Sequence, residues 1–157
     1  MKKKLTLEQV KDKALRLIEF RSHSEKELRE KLKHAGAEAE DIDSVVEFML
    51  HYHFLDDQSY AWRLAQDLKN LKKFGNQRIV QELRRKGISE EYIEEAVSEL
   101  QDEEDVLLPM VEKRLQGSFE KKSVDRVLRY FVSHGYQIRD ILRCVEQIKE
   151  KEESDGL

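Results

Sequence analysis

Three glycines set the register of this sequence. Gly36, Gly87 and Gly135 lie 51 and 48 residues apart, and residues at fixed distances around them match in physical type. Each glycine has apolar residues four and eight positions before it, an isoleucine six positions after it and a valine ten positions after it. Apolar residues that recur at this helical spacing on a fixed period predict three copies of one helical unit of about 50 residues.

The repeat also predicts where the middle helix of each unit begins and ends. Ser24, Gly75 and Ser123 stand twelve positions before the three glycines, and all three are residue types that cap helix N-termini. Glycine at the other end accepts the left-handed conformation that terminates a helix. The apolar columns that would face the cores are Leu28/Ile79/Val127, Leu32/Leu83/Phe131, Ile42/Ile93/Ile141, Val46/Val97/Val145 and Met49/Leu100/Ile148.

Further capping patterns frame the other helices. The segments Thr6–Gln9 and Ser24–Glu27 have the residue types and spacing of a capping box. Ser89 is followed by two glutamates, which suit the positive end of a helix. Pro109 either starts the first helix of the third unit or kinks a longer helix.

Composition supports a helical chain. One proline, six glycines and 39% charged residues suit helices better than sheets. We therefore predict an all-α protein of three tandem three-helix repeats, similar to helix-turn-helix units, at residues 1–55, 56–104 and 105–157. Such units stabilise one another through their junctions and would form an elongated, curved molecule. That shape favours binding along a filament or groove over enclosing a small substrate.

Cysteine content and hydropathy indicate a compartment. The single cysteine, Cys144, cannot form an intramolecular disulfide, which fits a reducing environment. No apolar run reaches the length that spans a membrane, and no signal-peptide core follows the basic N-terminus. We therefore expect a cytoplasmic monomer without a membrane partner.

Charge is unevenly distributed along the chain. The net charge is −4, which argues against a simple nucleic-acid binder. From Lys69 to Lys86, however, there are seven basic residues and one acidic residue, whereas from Glu90 to Asp105 there are nine acidic residues and no basic one. The sequence therefore places a basic segment directly beside an acidic segment.

The clearest binding candidates surround the predicted middle helix of the second unit. The loop 72–76 leads into a helix N-terminus, where backbone N–H groups and lysines together can hold a phosphate. The middle helices of the other units carry weaker basic clusters. The predicted contact residues are Lys72, Lys73, Arg78, Arg84, Arg85, Lys86, Arg21, Lys26, Arg29, Lys121, Lys122, Arg126 and Arg129. The alternative is a solvated helix face paired with the acidic helix beside it.

Other residues that could carry chemistry have simpler interpretations. Asp56 and Asp57 could bind a metal or act as acid and base, but their place before a predicted helix favours capping. His51 and His53 lack the further ligands that a metal site needs. Cys144 falls in an apolar column and is predicted to lie in a core. Since no phosphate loop, nucleophile–base arrangement or metal signature is present, we predict no catalytic residue, no metal and no cofactor.

Three stretches, in this order and at this spacing, resemble the RecX family over nearly the whole chain. They are Arg21-Ser22-His23-Ser24-Glu25-x-Glu27-Leu28, Leu55-Asp56-Asp57-x-x-Tyr60-Ala61, and Gly75-x-x-Arg78-Ile79-x-x-Glu82-Leu83-x-x-Lys86-Gly87-Ile88. The third unit contributes least to the resemblance. The resemblance implies a non-enzymatic protein of tandem three-helix repeats that binds the RecA recombinase, above all its filament on single-stranded DNA.

The resemblance also implies a mode of action. A RecX protein lies along the filament groove and modulates, usually inhibits, recombination and the coprotease activity of the SOS response. The predicted contact residues would then bind RecA or DNA, single- or double-stranded. The net acidity of this chain favours RecA over DNA as the partner. Two alternatives remain open, which are an independent helix-turn-helix DNA-binding protein and a helical scaffold that binds only protein.

Overall fold

All regular structure in the described part of the chain is helical, which confirms the all-α prediction. The structure, a computed structural model, describes residues 4–156. Its helices are α1 (Leu7–Phe20), α2 (Glu25–His34), α3 (Ala39–His51), α4 (Asp57–Asn70), α5 (Asn76–Arg85), α6 (Glu90–Ser98), α7 (Glu103–Leu115), α8 (Lys121–Ser133) and α9 (Ile138–Asp155). Between residues 4 and 156 no helix is both long enough and apolar enough to cross a membrane.

Side-chain caps start the first two helices as predicted. Thr6 Oγ1 accepts a hydrogen bond from the Gln9 amide at 3.2 Å, and Gln9 Oε1 accepts one from the Thr6 amide at 2.9 Å. Ser24 and Glu27 form the same reciprocal pair ahead of α2. Each box satisfies two backbone donors that have no partner inside the helix, which is why these sequences start helices where they do.

The three register glycines adopt the predicted left-handed conformation. Gly36, Gly87 and Gly135 have φ values of 96°, 80° and 99°. They follow α2, α5 and α8, the middle helices of the three repeats. In each turn an amide beyond the glycine bonds back to a carbonyl of the helix, as Ala37 does to Leu32 at 3.1 Å. The period read from the sequence is therefore a structural period.

Two local expectations change in the structure, and one open alternative is decided. Ser123 is not an N-cap, because α8 begins at Lys121 and the Ser123 hydroxyl lies inside the helix, 2.8 Å from that of Ser118. Pro109 does not start its helix but lies within the longer α7, whose N-terminus is capped by Asp102. Leu100 lies beyond the end of α6 and is only partly buried.

The chain divides into two compact units. Unit 1 comprises Met1–Leu64 and Glu82–Ala96, and unit 2 comprises Ala65–Gln81 and Val97–Leu157. Each unit contains an apolar core built from the predicted columns. In unit 1 this core includes Leu28, Leu32, Ile42, Val46 and Met49, and in unit 2 it includes Val127, Phe131, Ile141, Val145 and Ile148. Cys144 is fully buried in the second core, as predicted.

Each unit also contains a close contact between the start of one middle helix and the glycine turn of the next. In unit 1 the Ser24 hydroxyl donates a hydrogen bond to the Lys86 carbonyl. In unit 2 the Gly75 amide donates to the His134 carbonyl at 2.7 Å. A Cβ atom on Gly75 would lie 2.3 Å from the Gly135 carbonyl oxygen, so the two backbones approach too closely for any side chain.

Candidate nucleic-acid interface

A groove lined by cations opens on the surface of unit 2. It has a volume of about 520 Å³ and is bordered by the turn after α4, the end of α7 and one face of α8. No carboxylate of the described residues lines it. The cations of this groove, called the basic groove below, are Lys72, Lys73, Lys113, Arg114 and Arg126.

Helical periodicity places the groove residues of α8 on one face of that helix, and those of α7 lie at its C-terminal end. Arg126, Tyr130 and His134 recur every four residues and form one stripe along α8. Lys113 and Arg114 lie in the last turn of α7, where the negative helix end favours cations. The two helices therefore contribute positive charge to the same concave surface.

A buried tyrosine shapes the turn that carries the two groove lysines. Lys73 has φ 60°, a value that residues with side chains rarely adopt. Its carbonyl accepts a hydrogen bond from the Tyr136 hydroxyl at 2.8 Å, and Tyr136 is 1% exposed. Burial, with a smaller contribution from Glu103, raises the pKa of Tyr136, so the hydroxyl stays protonated and can donate this bond.

Three planar groups stack at one wall of the groove. The guanidinium carbon of Arg114 lies 3.2 Å from the centroid of the Tyr130 ring, and the His134 ring stacks on Tyr130 at 4.2 Å. His134 Nδ1 lies 2.8 Å from the Tyr130 carbonyl oxygen, which can only accept, so Nδ1 carries the hydrogen. These contacts hold the Arg114 guanidinium in a defined plane. Arg114, Tyr130 and His134 are called the stacked triplet below.

Within residues 4–156 the groove cations have no carboxylate partners. None of the ion pairs found between residues 4 and 156 involves any of the five. An unpaired cation on a concave surface keeps its full charge for a ligand, whereas a paired one must first give up its partner. The basic groove is therefore a concentrated positive field in a chain whose net charge is −4.

The predicted contact residues of unit 1 have a different environment. Most of them form ion pairs within their own unit. The nitrogen–oxygen distances are 3.1 Å for Arg21–Glu27, 3.3 Å for Lys86–Glu27, 2.7 Å for Arg29–Asp43, 2.6 Å for Arg84–Glu90 and 3.5 Å for Arg85–Glu82. In this unit the arrangement matches the alternative interpretation, in which basic helix faces are paired with acidic neighbours.

Glu27 is the centre of the unit 1 network. Burial opposes its ionisation, but the Ser24 amide, Arg21 and Lys86 outweigh that effect and lower the pKa of Glu27 to about 2. Burial and Glu27 in turn raise the pKa of Tyr60 to about 12. The carboxylate thus joins the start of α2 to α4 and to the turn after α5. Its partners have a structural role in addition to any role in binding.

The phosphate cradle expected at the start of α5 is already occupied. The Asn76 amide donates to Glu103 Oε1 at 2.7 Å. Arg78 lies over the Phe74 ring at 3.8 Å from its centroid and donates to the Ser133 carbonyl at 3.0 Å. A phosphate at this helix end would have to displace Glu103. Lys72 and Lys73 instead face the basic groove.

Lys69 differs from the other lysines of the basic segment. It is 1% exposed, and its ammonium group has no hydrogen-bond partner among the described residues. The ammonium nitrogen lies 5.4 Å from the centroid of the Tyr136 ring. Burial lowers the pKa of Lys69, and Glu103 opposes this in part. Lys69 is therefore a buried structural residue that cannot reach a surface ligand.

The remaining predicted contact residues are exposed outside the groove. They are Lys26, Lys121, Lys122 and Arg129. Lys26 also has a local contact, because its side chain covers Gly87, where a Cβ atom would lie 2.3 Å from Lys26 Cδ. The structure thus gathers Lys72, Lys73 and Arg126 into one site and leaves these four as separate surface charges.

The paired aspartates are caps, as predicted. Asp56 Oδ1 accepts from the Ser59 amide at 3.1 Å at the start of α4. Asp57 caps a different helix, since its Oδ1 accepts from the Glu25 amide of α2 at 2.9 Å. Burial raises the pKa of Asp57.

The two histidines lie at a helix end. His51 is the last residue of α3, and His53 follows in the turn with φ 60°. Both are exposed. Among the described residues no group of three His, Cys, Asp or Glu side chains could hold a metal ion.

Sequence reasoning missed four residues of the groove. Lys113, Arg114, Tyr130 and His134 were not among the predicted contacts. The four-residue spacing of Arg126, Tyr130 and His134 could have revealed the stripe on α8. Nothing local, by contrast, indicates that the end of α7 and the turn after α4 meet that stripe, because Lys73 and Lys113 lie 40 positions apart in the sequence.

Comparison with known proteins places the chain in a family. Its residues 11–49 match the model of the first three-helix domain of RecX, and residues 56–97 match that of the second. The regulatory protein RecX of Cronobacter sakazakii is 33% identical over 145 residues, covering 83% of this chain and 86% of that protein. That of Clostridium beijerinckii is 32% identical over 146 residues, covering 88% and 67%. The chain spans about two thirds of the clostridial relatives.

Solved structures show the same fold. The crystal structure of RecX from Lactobacillus salivarius superposes with a TM-score of 0.81 at 16% identity, covering 91% of this chain and 96% of that one. A second crystal structure, of a regulatory protein RecX, gives a TM-score of 0.77 at 19% identity, covering 92% and 73%. With both three-helix domain models and relatives above 30% identity matched, the chain belongs to the RecX family.

Proposed function

We propose that this protein is a non-enzymatic regulator, and specifically an inhibitor, of the RecA recombinase. It would bind along the RecA filament on single-stranded DNA and thereby modulate recombination and the coprotease activity of the SOS response. The observation that carries the proposal is membership of the RecX family, whose curated relatives are named regulatory proteins. The choice of RecA as the partner follows from the family resemblance.

The distribution of charge supports a nucleoprotein partner. The basic groove of unit 2 suits a polyanion. Elsewhere the acidic segment 90–105 and the net charge of −4 disfavour tight binding to free DNA. A protein that binds a filament can use its groove for nucleic acid and the rest of its surface for RecA, so its affinity does not depend on DNA alone.

Two further features belong to this proposal. Relatives in the family are named regulatory proteins, which supports a function without catalysis and without a cofactor. The only cysteine, Cys144, is buried, and burial with two nearby carboxylates raises its pKa to about 11. A protonated, buried thiol has little reactivity and fits the proposed cytoplasmic location.

The test is the ATPase activity of RecA on single-stranded DNA. Added protein is expected to lower the rate of ATP hydrolysis and of strand exchange, with the effect complete near a fixed ratio of this chain to RecA. Unchanged ATPase and strand exchange at a stoichiometric amount would overturn the proposal. Direct binding to RecA, measured with and without DNA, separates a filament ligand from a ligand of free RecA.

The alternative is an independent helix-turn-helix DNA-binding protein. The exposed cations of α8, Lys121, Lys122 and Arg129, favour this alternative because a recognition helix needs basic residues on its open face. It predicts binding to naked duplex DNA with a steep dependence on salt. Undetectable duplex binding at low salt eliminates it.

A further inference from the structure

We propose that the basic groove of unit 2 binds a short stretch of single-stranded nucleic acid, with phosphates held by its lysines and Arg126 and one base stacked on Arg114. This inference rests on the proposed function for its setting, since the filament supplies the single strand. It goes further by naming the site, the class of ligand and the group that recognises an unpaired base.

The charge of the groove selects an anion with several charges. Cations arrive from the turn after α4, from α7 and from α8, so they surround the groove on different sides. No described carboxylate lines the groove, and none of the described ion pairs neutralises its cations. A single small anion would engage one or two of these groups. A phosphodiester chain has charges spaced along its length and can engage cations on more than one side of the groove.

The stacked triplet restricts the class of ligand further. Arg114 lies with one face on the Tyr130 ring, at 3.2 Å from the centroid, and Arg114 itself is exposed. Its other guanidinium face can therefore accept a nucleobase, and stacking of bases on arginine planes is common in single-strand recognition. An acidic peptide would use the charges of the groove but has no flat ring to place on this surface.

The shape of the site favours a single strand over a duplex. Proteins that read duplex DNA insert a protruding helix or strand into a DNA groove. Here the cations line a concavity of about 520 Å³, within the size range of pockets for ligands of roughly drug size. Such a space admits one or two nucleotides but not a base-paired helix. A base can reach Arg114 only when it is unpaired.

The experiment measures binding of the full chain to fluorescent oligothymidylate and to a duplex of equal length by anisotropy. The main variant is Lys113→Ala with Arg126→Ala, and the matched control is Lys13→Ala with Lys33→Ala, which removes two exposed lysines of unit 1. The groove variant is expected to bind the single strand at least tenfold more weakly. Its salt slope should fall by about 1.4, since each phosphate contact on a single strand contributes about 0.7. The control should change affinity less than twofold.

A second variant tests the stacking group. Arg114→Lys keeps the positive charge but removes the guanidinium plane. It is expected to weaken single-strand binding about fivefold while leaving the salt slope unchanged, because stacking contributes independently of counterion release. Circular dichroism establishes that each variant retains its helices. Equal affinity of wild type and Arg114→Lys would overturn the stacking assignment.

The outcomes separate this inference from the proposed function. If the groove variant binds the single strand as the wild type does, or if duplex is bound as tightly through the same residues, the inference fails. If the wild type binds no oligonucleotide but the groove variant loses its effect on RecA ATPase, the groove contacts protein and the inference fails while the proposed function stands. If the groove binds the single strand and RecA ATPase is unaffected, the proposed function fails and the inference stands.

Discussion

In unit 1 the arginines near the middle helices lie against carboxylates, whereas in unit 2 the cations of the basic groove lie against aromatic rings or face solvent. The same contrast holds in the interior. Glu27 of unit 1 is surrounded by two cations and a backbone amide. Lys69 of unit 2 is buried with no hydrogen-bond partner in the described part of the chain.

The difference shows which physical features the two units share and which they do not. Both units share apolar columns, glycine turns and a contact from one middle helix to the next turn. Their charges, however, stabilise the fold in unit 1 and remain available in unit 2. Paired ions contribute to structure at the expense of binding, while unpaired ions on one surface repel one another and gain most from an anionic ligand. Four predictions test this contrast, in order of expected effect.

The largest effect is expected at the tight contact of unit 2. Gly75→Ala places a Cβ atom 2.3 Å from the Gly135 carbonyl oxygen and 2.7 Å from the Tyr136 amide nitrogen, both backbone atoms that cannot move cheaply. Overpacking of this kind should cost about 3 kcal/mol or more of the free energy of unfolding, measured by urea denaturation. Gly117→Ala is the control, because its φ of 77° imposes strain but no atom lies within 4 Å. It should cost only about 1 to 2 kcal/mol. Equal losses of unfolding free energy in the two variants would contradict the close approach of Gly75 to Gly135.

Glu27→Gln should remove the paired charge at the centre of unit 1. A carboxylate with a pKa near 2 in the folded state and 4.5 otherwise stabilises the fold at pH values above 4.5. That stabilisation, roughly 3 kcal/mol from the size of the shift, is lost as the pH falls from 4.5 through the folded pKa. The variant should therefore be less stable than wild type at pH 7, and the gap should close between pH 5 and 2.

The control for this prediction is Glu30→Gln on the same helix. Glu30 is exposed, so its replacement should leave the unfolding free energy nearly unchanged at both pH values. A gap between wild type and Glu27→Gln that persists unchanged at pH 2 would contradict the ionic role of Glu27.

Lys69→Met, in unit 2, should raise the free energy of unfolding, whereas Glu27→Gln lowers it. Methionine keeps the length of the side chain and removes a buried ammonium group that has no hydrogen-bond partner among the described residues, which should stabilise the protein by about 1 to 3 kcal/mol at neutral pH. Because burial lowers the folded pKa of Lys69, the gain should shrink as the pH rises towards the ordinary lysine value of 10.5 and vanish above it, where the wild-type amine is neutral in both states. Thermal unfolding of the two proteins at pH 7 and at high pH measures this. Destabilisation at pH 7 would mean that Lys69 has a favourable partner.

The smallest change in stability is expected at Ser24, which occupies the same position of the repeat as Ser123. Ser24→Ala removes the cap of α2 and the bond to the Lys86 carbonyl, and it should cost about 1 kcal/mol. Ser123→Ala should be close to neutral, because Ser123 lies inside α8 and alanine is the better helix former. The midpoints of urea denaturation of the two variants, compared with that of the wild type, measure these costs. A cost at Ser123 as large as at Ser24 would contradict the prediction and would mean that the contact with the Ser118 hydroxyl stabilises the protein as much as the Ser24 cap does.

Much of the fold could be predicted because its causes are local. The capping boxes at Thr6 and Ser24 and the left-handed turn at Gly36 depend on residues within a few positions of one another. The site was predicted only in part. Lys72, Lys73 and Arg126 were identified by charge, but Arg114 joins them through packing that no local pattern encodes. Asp57 shows the same limit, since capping was predicted from its place at the start of α4, whereas its contact with the Glu25 amide of α2 was not.

By itself the sequence determined most of the helices and core columns, the repeat and the family, because periodicity and capping act over a few residues and recur on each copy. Only the tertiary structure decided which charges are paired. The Lys86–Glu27 and Glu103–Asn76 contacts join residues 59 and 27 positions apart, and Coulomb energy depends on distance in space and on burial rather than on position in the chain. The repeat therefore specifies where basic residues lie along the helices, and packing determines which of them stay available to a ligand.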